Sequence, residues 1–149
     1  MTFTVRPAHI ADAAMLYELH VATMRQAIEA TWGWDDTWQQ QDFRARFLPE
    51  GTQIILVAGE VVGVLETEVR PEAFFVVNIK IKPDRQSTGI GTSVLRWVMA
   101  TAASQHIPVR LQVLLANVRA RQFYERLGFQ ATEQTATYLH LQYHTPASR

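Results

Sequence analysis

A β-rich run from Phe74 to Ile81 stops at Pro83 and is followed by Gln86-Ser87-Thr88-Gly89-Ile90-Gly91. Ile90, Val94, Trp97, Val98 and Met99 then recur at helical spacing up to about Gln105. A strand that feeds a glycine turn and then a helix leaves several backbone N–H groups without partners at the helix start. Gly89 and Gly91 let the main chain come close to a bulky anion, and the helix dipole adds partial positive charge at the same point. A pyrophosphate fits such a place. A tight strand-to-helix connection with no ligand accounts for a lone G-x-G equally well, so the rest of the chain has to decide.

Two rival phosphate loops fail on their own residues. A Walker loop needs Gly-Lys-Ser/Thr, and Gly91 is followed by Thr92 and Ser93. A dinucleotide fingerprint needs a third small residue three positions after Gly91, where Val94 stands, and no strand with an acidic residue follows at the required distance.

The remaining segments order themselves by periodicity. Phe3 and Val5 before Arg6-Pro7 suggest a short strand, and Ile10, Ala13, Ala14, Tyr17, Val21, Met24 and Ile28 mark an amphipathic helix with Asp12 in its first turn. Asp36 with Gln39 resembles a capping box that opens a second helix to about Leu48, stopped by Pro49-Glu50-Gly51. Gln53–Val57 and Val61–Val69 read as a hairpin around Ala58-Gly59-Glu60. Val109–Leu115 is a strand, and Ala120, Phe123, Tyr124 and Leu127 fall on one helical face that Gly128 ends; Phe129–Tyr143 completes the sheet. The order β-α-α-β-β-β-α-β-α-β predicts a single α/β (α+β) domain over residues 1–144, a mixed, largely antiparallel sheet with helices on both faces. Residues 145–149 read as a loose tail.

Composition narrows the function. In 149 residues, 48% are hydrophobic, enough for one substantial core. Fourteen Lys plus Arg balance fourteen Asp plus Glu, so no global field favours nucleic acid. The absence of Cys excludes thiolate catalysis, and His9, His20, His106, His140 and His144 show no metal-binding spacing; scattered surface histidines suffice, and no metal is expected. Met1–Ile10 lacks an apolar signal core and no run approaches the roughly 18 apolar residues of a membrane span, so a soluble, cytoplasmic protein without membrane association is expected.

Gln86-Ser87-Thr88-Gly89-Ile90-Gly91 resembles the Q/R-x-x-G-x-G/A pyrophosphate motif of the GNAT superfamily of acyl-CoA-dependent N-acyltransferases. Leu115-Ala116-Asn117 followed by Phe123-Tyr124-Glu125-Arg126-Leu127-Gly128-Phe129 resembles the second half of that signature, so the likeness spans nearly the whole chain. It implies an N-acetyltransferase that takes acetyl-CoA as cosubstrate and an amine as acceptor, by direct attack in a ternary complex. A non-catalytic acyl-CoA sensor of the same fold is the alternative, and a homodimer is left open. The resemblance places the pyrophosphate on the amides of Gln86, Ser87, Thr88, Gly89, Ile90 and Gly91, and the pantetheine arm on the main chain of Ile79 and Ile81. It makes Tyr124, at the start of the last helix, the general acid for the departing thiolate; periodicity alone gives a core tyrosine. Asn117 is the natural N-cap of that helix, and the resemblance also places it near the pantetheine or the acid.

The base is less defined. Some relatives carry a glutamate where Phe74, Phe75, Val76 and Val77 stand here. Glu66 and Glu68 share a strand face with Val62 and Val64 by alternation, and either can reach a cleft through a water or stay a solvated carboxylate; Asn78 is a weaker candidate for holding that water. The link between the first two helices forms one wall of the family's acceptor site. Trp32, Trp34 and Trp38 there can form that wall or simply pack a helix joint, and Arg25 and Glu29 can anchor a substrate or pair with each other. Arg119 and Arg121 flank the expected phosphate side with roles left open.

Overall fold

The computed structural model describes residues 2–145; of the expected tail, residues 146–149 lie outside the described residues. Its strands are β1 (Thr4–Pro7), β2 (Thr52–Val57), β3 (Glu60–Val69), β4 (Phe74–Ile81), β5 (Val109–Leu114), β6 (Gln130–Gln134) and β7 (Tyr138–Tyr143). Its α-helices are α1 (Ala13–Trp32), α2 (Asp36–Arg46), α3 (Ile90–Ser104) and α4 (Val118–Arg126). The strands form one seven-stranded sheet in the order β1-β2-β3-β4-β5-β7-β6. Every neighbouring pair is antiparallel except β4 and β5.

Strand alternation sends side chains to two different helical layers. Ile55 and Leu65 are buried beneath α3, whose Ile90, Val94, Leu95 and Val98 form its inner face, and beneath Tyr124 of α4. Ile54 and Val64 pack instead against Leu16 and Leu19 of α1. The helices therefore cover both faces of the sheet, as the element order requires.

Local chemistry set several boundaries differently from the sequence reading. The segment 129–143 is a hairpin, not one strand: Thr135 Oγ1 accepts from the amides of Thr137 and Tyr138, and the chain turns there. β6 is exposed throughout and polar except for Ala131, so it carries no alternation to announce itself. The cap of α2 is Asp35, whose side chain accepts from Trp38 N at 2.9 Å, one residue before the expected Asp36. Asp12 closes the entry to α1 by accepting from His9 N at 2.8 Å and from both terminal nitrogens of Arg6 at 3.0 Å.

Two irregularities shape the middle of the sheet. Between β2 and β3 the register jumps at Ile55/Leu56, and Val62 has no partner. Val62 consequently packs under α3 while Val64 faces α1, which corrects the expectation that they share a face. Between β3 and β4 the register jumps again, from Glu66↔Asn78 to Thr67↔Val76, leaving Val77 bulged and 51% exposed.

Candidate active site

The site begins where β4 and β5 part. Their parallel pairing is confined to Phe74↔Val109 and Phe75↔Arg110. From Val76 on, the facing edges have no strand partner, so the sheet opens into a V whose sides are β4 and β5. Unpaired main-chain groups bordering a gap are available to a ligand that enters it.

Lys82 leads out of β4 into a short 3-10 turn, Pro83–Arg85, and then into the glycine segment. Ser87 has φ 63° and Gly89 φ 92°, so the chain passes twice through the left-handed region before α3 starts. Gly89 is the N-cap of α3, and the first helical bond runs from Ser93 N to Gly89 O at 3.0 Å. Among the described residues, none of the amides from Ser87 to Thr92 has a protein acceptor. This row of free donors on the positive end of a fifteen-residue helix answers to an anion with several oxygens. A Cβ on Gly91 would come within 3.2 Å of the Phe123 ring, so this glycine also lets α3 pack against α4.

Side chains brace the turn. Gln86 Nε2 donates to Ile81 O at 2.9 Å, and Thr88 Oγ1 donates to Arg85 O at 2.6 Å. Arg119, whose role the sequence left open, donates from Nη2 to Ser87 Oγ at 2.8 Å and so holds a permanent cation beside the free amides. Arg121 pairs with Glu125 on the exposed side of α4. Asn117 caps α4, its Oδ1 accepting from Ala120 N at 3.2 Å.

Tyr124 lies in the last turn of α4, not at its start. It is 9% exposed and buried with Val76 of β4 and Val113 of β5, strands that border the V. Its ring packs against Phe123 and edge-on against Phe129. The hydroxyl makes no hydrogen bond to the described residues, and burial pushes its pKa up to about 12. It therefore stays protonated at neutral pH and keeps a proton to donate, as a general acid must.

The opposite face of β4 carries a different set. Asn78 Nδ2 donates to Glu66 Oε2 at 3.2 Å, and Lys80 Nζ lies 3.2 Å from His20 Nδ1 on α1. His20 Nε2 bonds in turn to Oε1 of Gln39, which is itself buried on α2, at 3.0 Å. His20, Glu66, Asn78 and Lys80, with Asp42, Phe43, Arg46 and Phe47, line a cavity of about 100 Å³. Burial lowers the pKa of His20, with the charge of Lys80 as a second cause; burial likewise lowers that of Lys80, opposed by Glu66. His20 is thus an integral member of a polar chain, which corrects the reading of it as a surface histidine. Lys80 and Gln39 were missed because they meet His20 across 60 and 19 positions of sequence.

The structure brings some expected residues together and separates others. Glu66 and Tyr124 belong to opposite faces of the sheet. Glu68 is exposed at the end of β3 and paired with Arg70 at 2.8 Å. Of the three indoles, only Trp34 packs beside His20, its ring 6.0 Å from that of His20 and its Nε1 donating to Asp36. Arg25 lies over the Trp34 ring at 5.2 Å and 3.7 Å from Glu29. Trp32 turns to Tyr138, and Trp38 is 56% exposed. Among the described residues no group of three or more His, Asp or Glu side chains converges as metal ligands would, and no helix is long and apolar enough to cross a membrane.

The open mixed sheet is a fold shared with solved acetyltransferases. The PaiA N-acetyltransferase of Thermoplasma acidophilum, solved with coenzyme A, superposes at a TM-score of 0.78 and 15% identity, over 97% of this chain and 99% of that one. An acetyltransferase of Thermus thermophilus gives 0.75 and 17%, over 97% of each chain. The ribosomal-protein-S18-alanine N-acetyltransferase of Escherichia coli gives 0.68 and 17%, over 99% of this chain and 97% of that one. No curated protein matches the sequence at a significant level. Residues 13–129 match the profile of the Acetyltransferase (GNAT) family, and the chain belongs to that family. It is accordingly an acyltransferase, of a family that uses acyl-CoA and an amine acceptor.

Proposed function

We propose that this protein transfers the acetyl group of acetyl-CoA to a primary or secondary amine, by direct attack of the amine on the thioester within a ternary complex. The observation that carries the reading is the row of unpartnered amides from Ser87 to Thr92 beside the V between β4 and β5. These amides, with Arg119 alongside, would hold the pyrophosphate, and the free edge of β4 through Ile79 and Ile81 would receive the pantetheine arm. Ile81 O already accepts from Gln86, so its amide is the more available of its two main-chain groups.

Because a thioester is an activated acyl donor, no enzyme nucleophile is needed, and a chain without cysteine suffices. The work left to the protein is positioning, charge stabilisation and proton transfer. Tyr124, protonated and buried beneath the V, would donate its proton to the leaving sulfur. Glu66, on the far face, would attract the acceptor as a cation, with Trp34 and Arg25 at the mouth. Attack from the α1 side and departure on the α4 side then place the two proton transfers on opposite sides of the reacting carbon.

Calorimetry with CoA tests the reading. Gly89→Glu places a carboxylate and a strained left-handed residue among the free amides. Affinity is expected to fall by between about tenfold and 10²-fold, the loss of one charge-assisted hydrogen bond. Gly89→Asn keeps a residue that tolerates the left-handed region where a Cβ meets nothing within 4 Å, and serves as the folding control. Unchanged affinity in a folded Gly89→Glu variant would remove the pyrophosphate from this turn. For the acceptor side, Trp34→Ala is expected to raise KM for the amine roughly three- to tenfold, the scale of one aromatic or cation–π contact, with KM for acetyl-CoA unchanged. A fall in thermal midpoint with both constants intact would instead assign Trp34 to packing alone.

A further inference from the structure

We propose that Lys80 is the proton acceptor for the attacking amine, held in position by His20; this rests on the acyl-transfer reading above. Lys80 is only 5% exposed, in a strand that borders the open V, and its side chain lies on the face from which the acceptor would enter. Among the described residues it forms no ion pair. A buried ammonium without a counter-ion is costly, and the neutral amine is the favoured state of such a side chain.

Of the groups around it, His20 fits that state, while the Phe43 ring face and the Glu66 carboxylate favour the ammonium and are outweighed by burial. His20 approaches from α1, the Phe43 ring from α2 with its centroid 5.9 Å from Nζ, and Glu66 and Asn78 line the same cavity from β3 and β4. Asp42 and Arg46 of α2 complete the charged lining, but they pair with each other at 2.9 Å. When Nε2 of His20 carries its proton and donates to Gln39, Nδ1 is left as an acceptor for an N–H of Lys80. One N–H of a neutral Lys80 is then fixed by His20, and its lone pair is free for the cavity. Burial lowers the pKa of Lys80, and the carboxylate of Glu66 works against it only in part. Glu66 is hydrogen-bonded to Asn78 and sits one strand further from the V, so Lys80 is the nearer base.

The balance is simple. As the amine nitrogen bonds to the acyl carbon and the carbon–sulfur bond breaks, the nitrogen gives one proton to Lys80 Nζ. The sulfur takes one from Tyr124, which recovers it from solvent as Lys80 releases its own. Amine and thioester become amide and thiol with no net change in protons.

The test combines kinetics with direct titration, on an amine that the wild-type protein acetylates. Lys80→Met, an apolar side chain of similar length, should fold, bind CoA as the wild type does, and lose about 10²-fold or more in kcat. The rise of kcat/KM with pH that reflects deprotonation of Lys80 should vanish with it. Lys80→Arg keeps the charge but cannot act as a base, and should be as slow as Lys80→Met. Recovery of activity in Lys80→Arg would overturn the assignment and make position 80 a charge anchor. His20→Gln should move the pH profile without altering CoA affinity; an unmoved profile would remove His20 from the positioning role. Nitrogen NMR of Lys80 Nζ in the CoA-bound protein provides a readout without turnover. Titration well below the ordinary 10.5 supports the proposal, and titration at that value overturns it even if transfer itself is confirmed.

Discussion

Tyr124→Phe is expected to lower kcat by about 10²–10⁴-fold, the contribution of a positioned general acid, while leaving CoA affinity and the thermal midpoint close to those of the parent protein. The ring contacts with Phe123 and Phe129 survive the change, and among the described residues the hydroxyl has no partner to lose. Only the proton donor disappears. Because burial holds the phenol at about 12, the parent protein keeps this donor through the physiological range, and its loss should depress the rate evenly across neutral pH. Steady-state rates on an accepted amine, with calorimetry and melting on the same samples, separate the roles. A rate within about twofold of the parent, far below the general-acid range, would leave Tyr124 as a core tyrosine.

Gly63→Ala is expected to be the most damaging single methyl group in the sheet. A Cβ at this position would lie 2.3 Å from Lys80 O and 3.0 Å from Ile81 Cδ1. The backbone of β4 cannot yield as a side-chain tip would, so β3 and β4 must separate at the place that carries Lys80 and Ile81. Overpacking against backbone costs about 3 kcal/mol or more, or a fall in melting temperature of roughly 10 °C for a domain of this size. Activity should fall with stability, since the same displacement moves both faces of the cleft. Gly59→Asn is the contrasting change: its Cβ meets nothing within 4 Å, and asparagine tolerates the local φ of 80°. Equal melting of the two variants would contradict the close approach of β3 to β4.

What the sequence disclosed follows the range of the interactions involved. The turn at Gln86–Gly91 and the cap at Asn117 are contiguous chemistry, and both elements stand where the residues put them. Side-chain alternation failed where a bulge intervened: Val62 and Val64 are two apart, yet the register jump sends them to opposite faces. The opening between β4 and β5 has no sequence mark, because it consists of hydrogen bonds that do not form. Asn78 and Lys80 alternate with Ile79 and Ile81 and so announce a polar row. Burial of that row depends on α1 and α2, which alternation along one strand does not report. The three tryptophans are neighbours in sequence but diverge in space, because the close of α1 and the Asp35 cap turn the chain between them.

The most direct measurement is an amine panel incubated with acetyl-CoA and this protein, following free thiol and acetylated amine together. The account predicts that at least one amine yields the two products in equal amounts, at a rate that Tyr124→Phe reduces without weakening CoA binding. Tight CoA binding with neither product for any amine would contradict it, and would assign the Ser87–Thr92 turn to an acyl-CoA sensor.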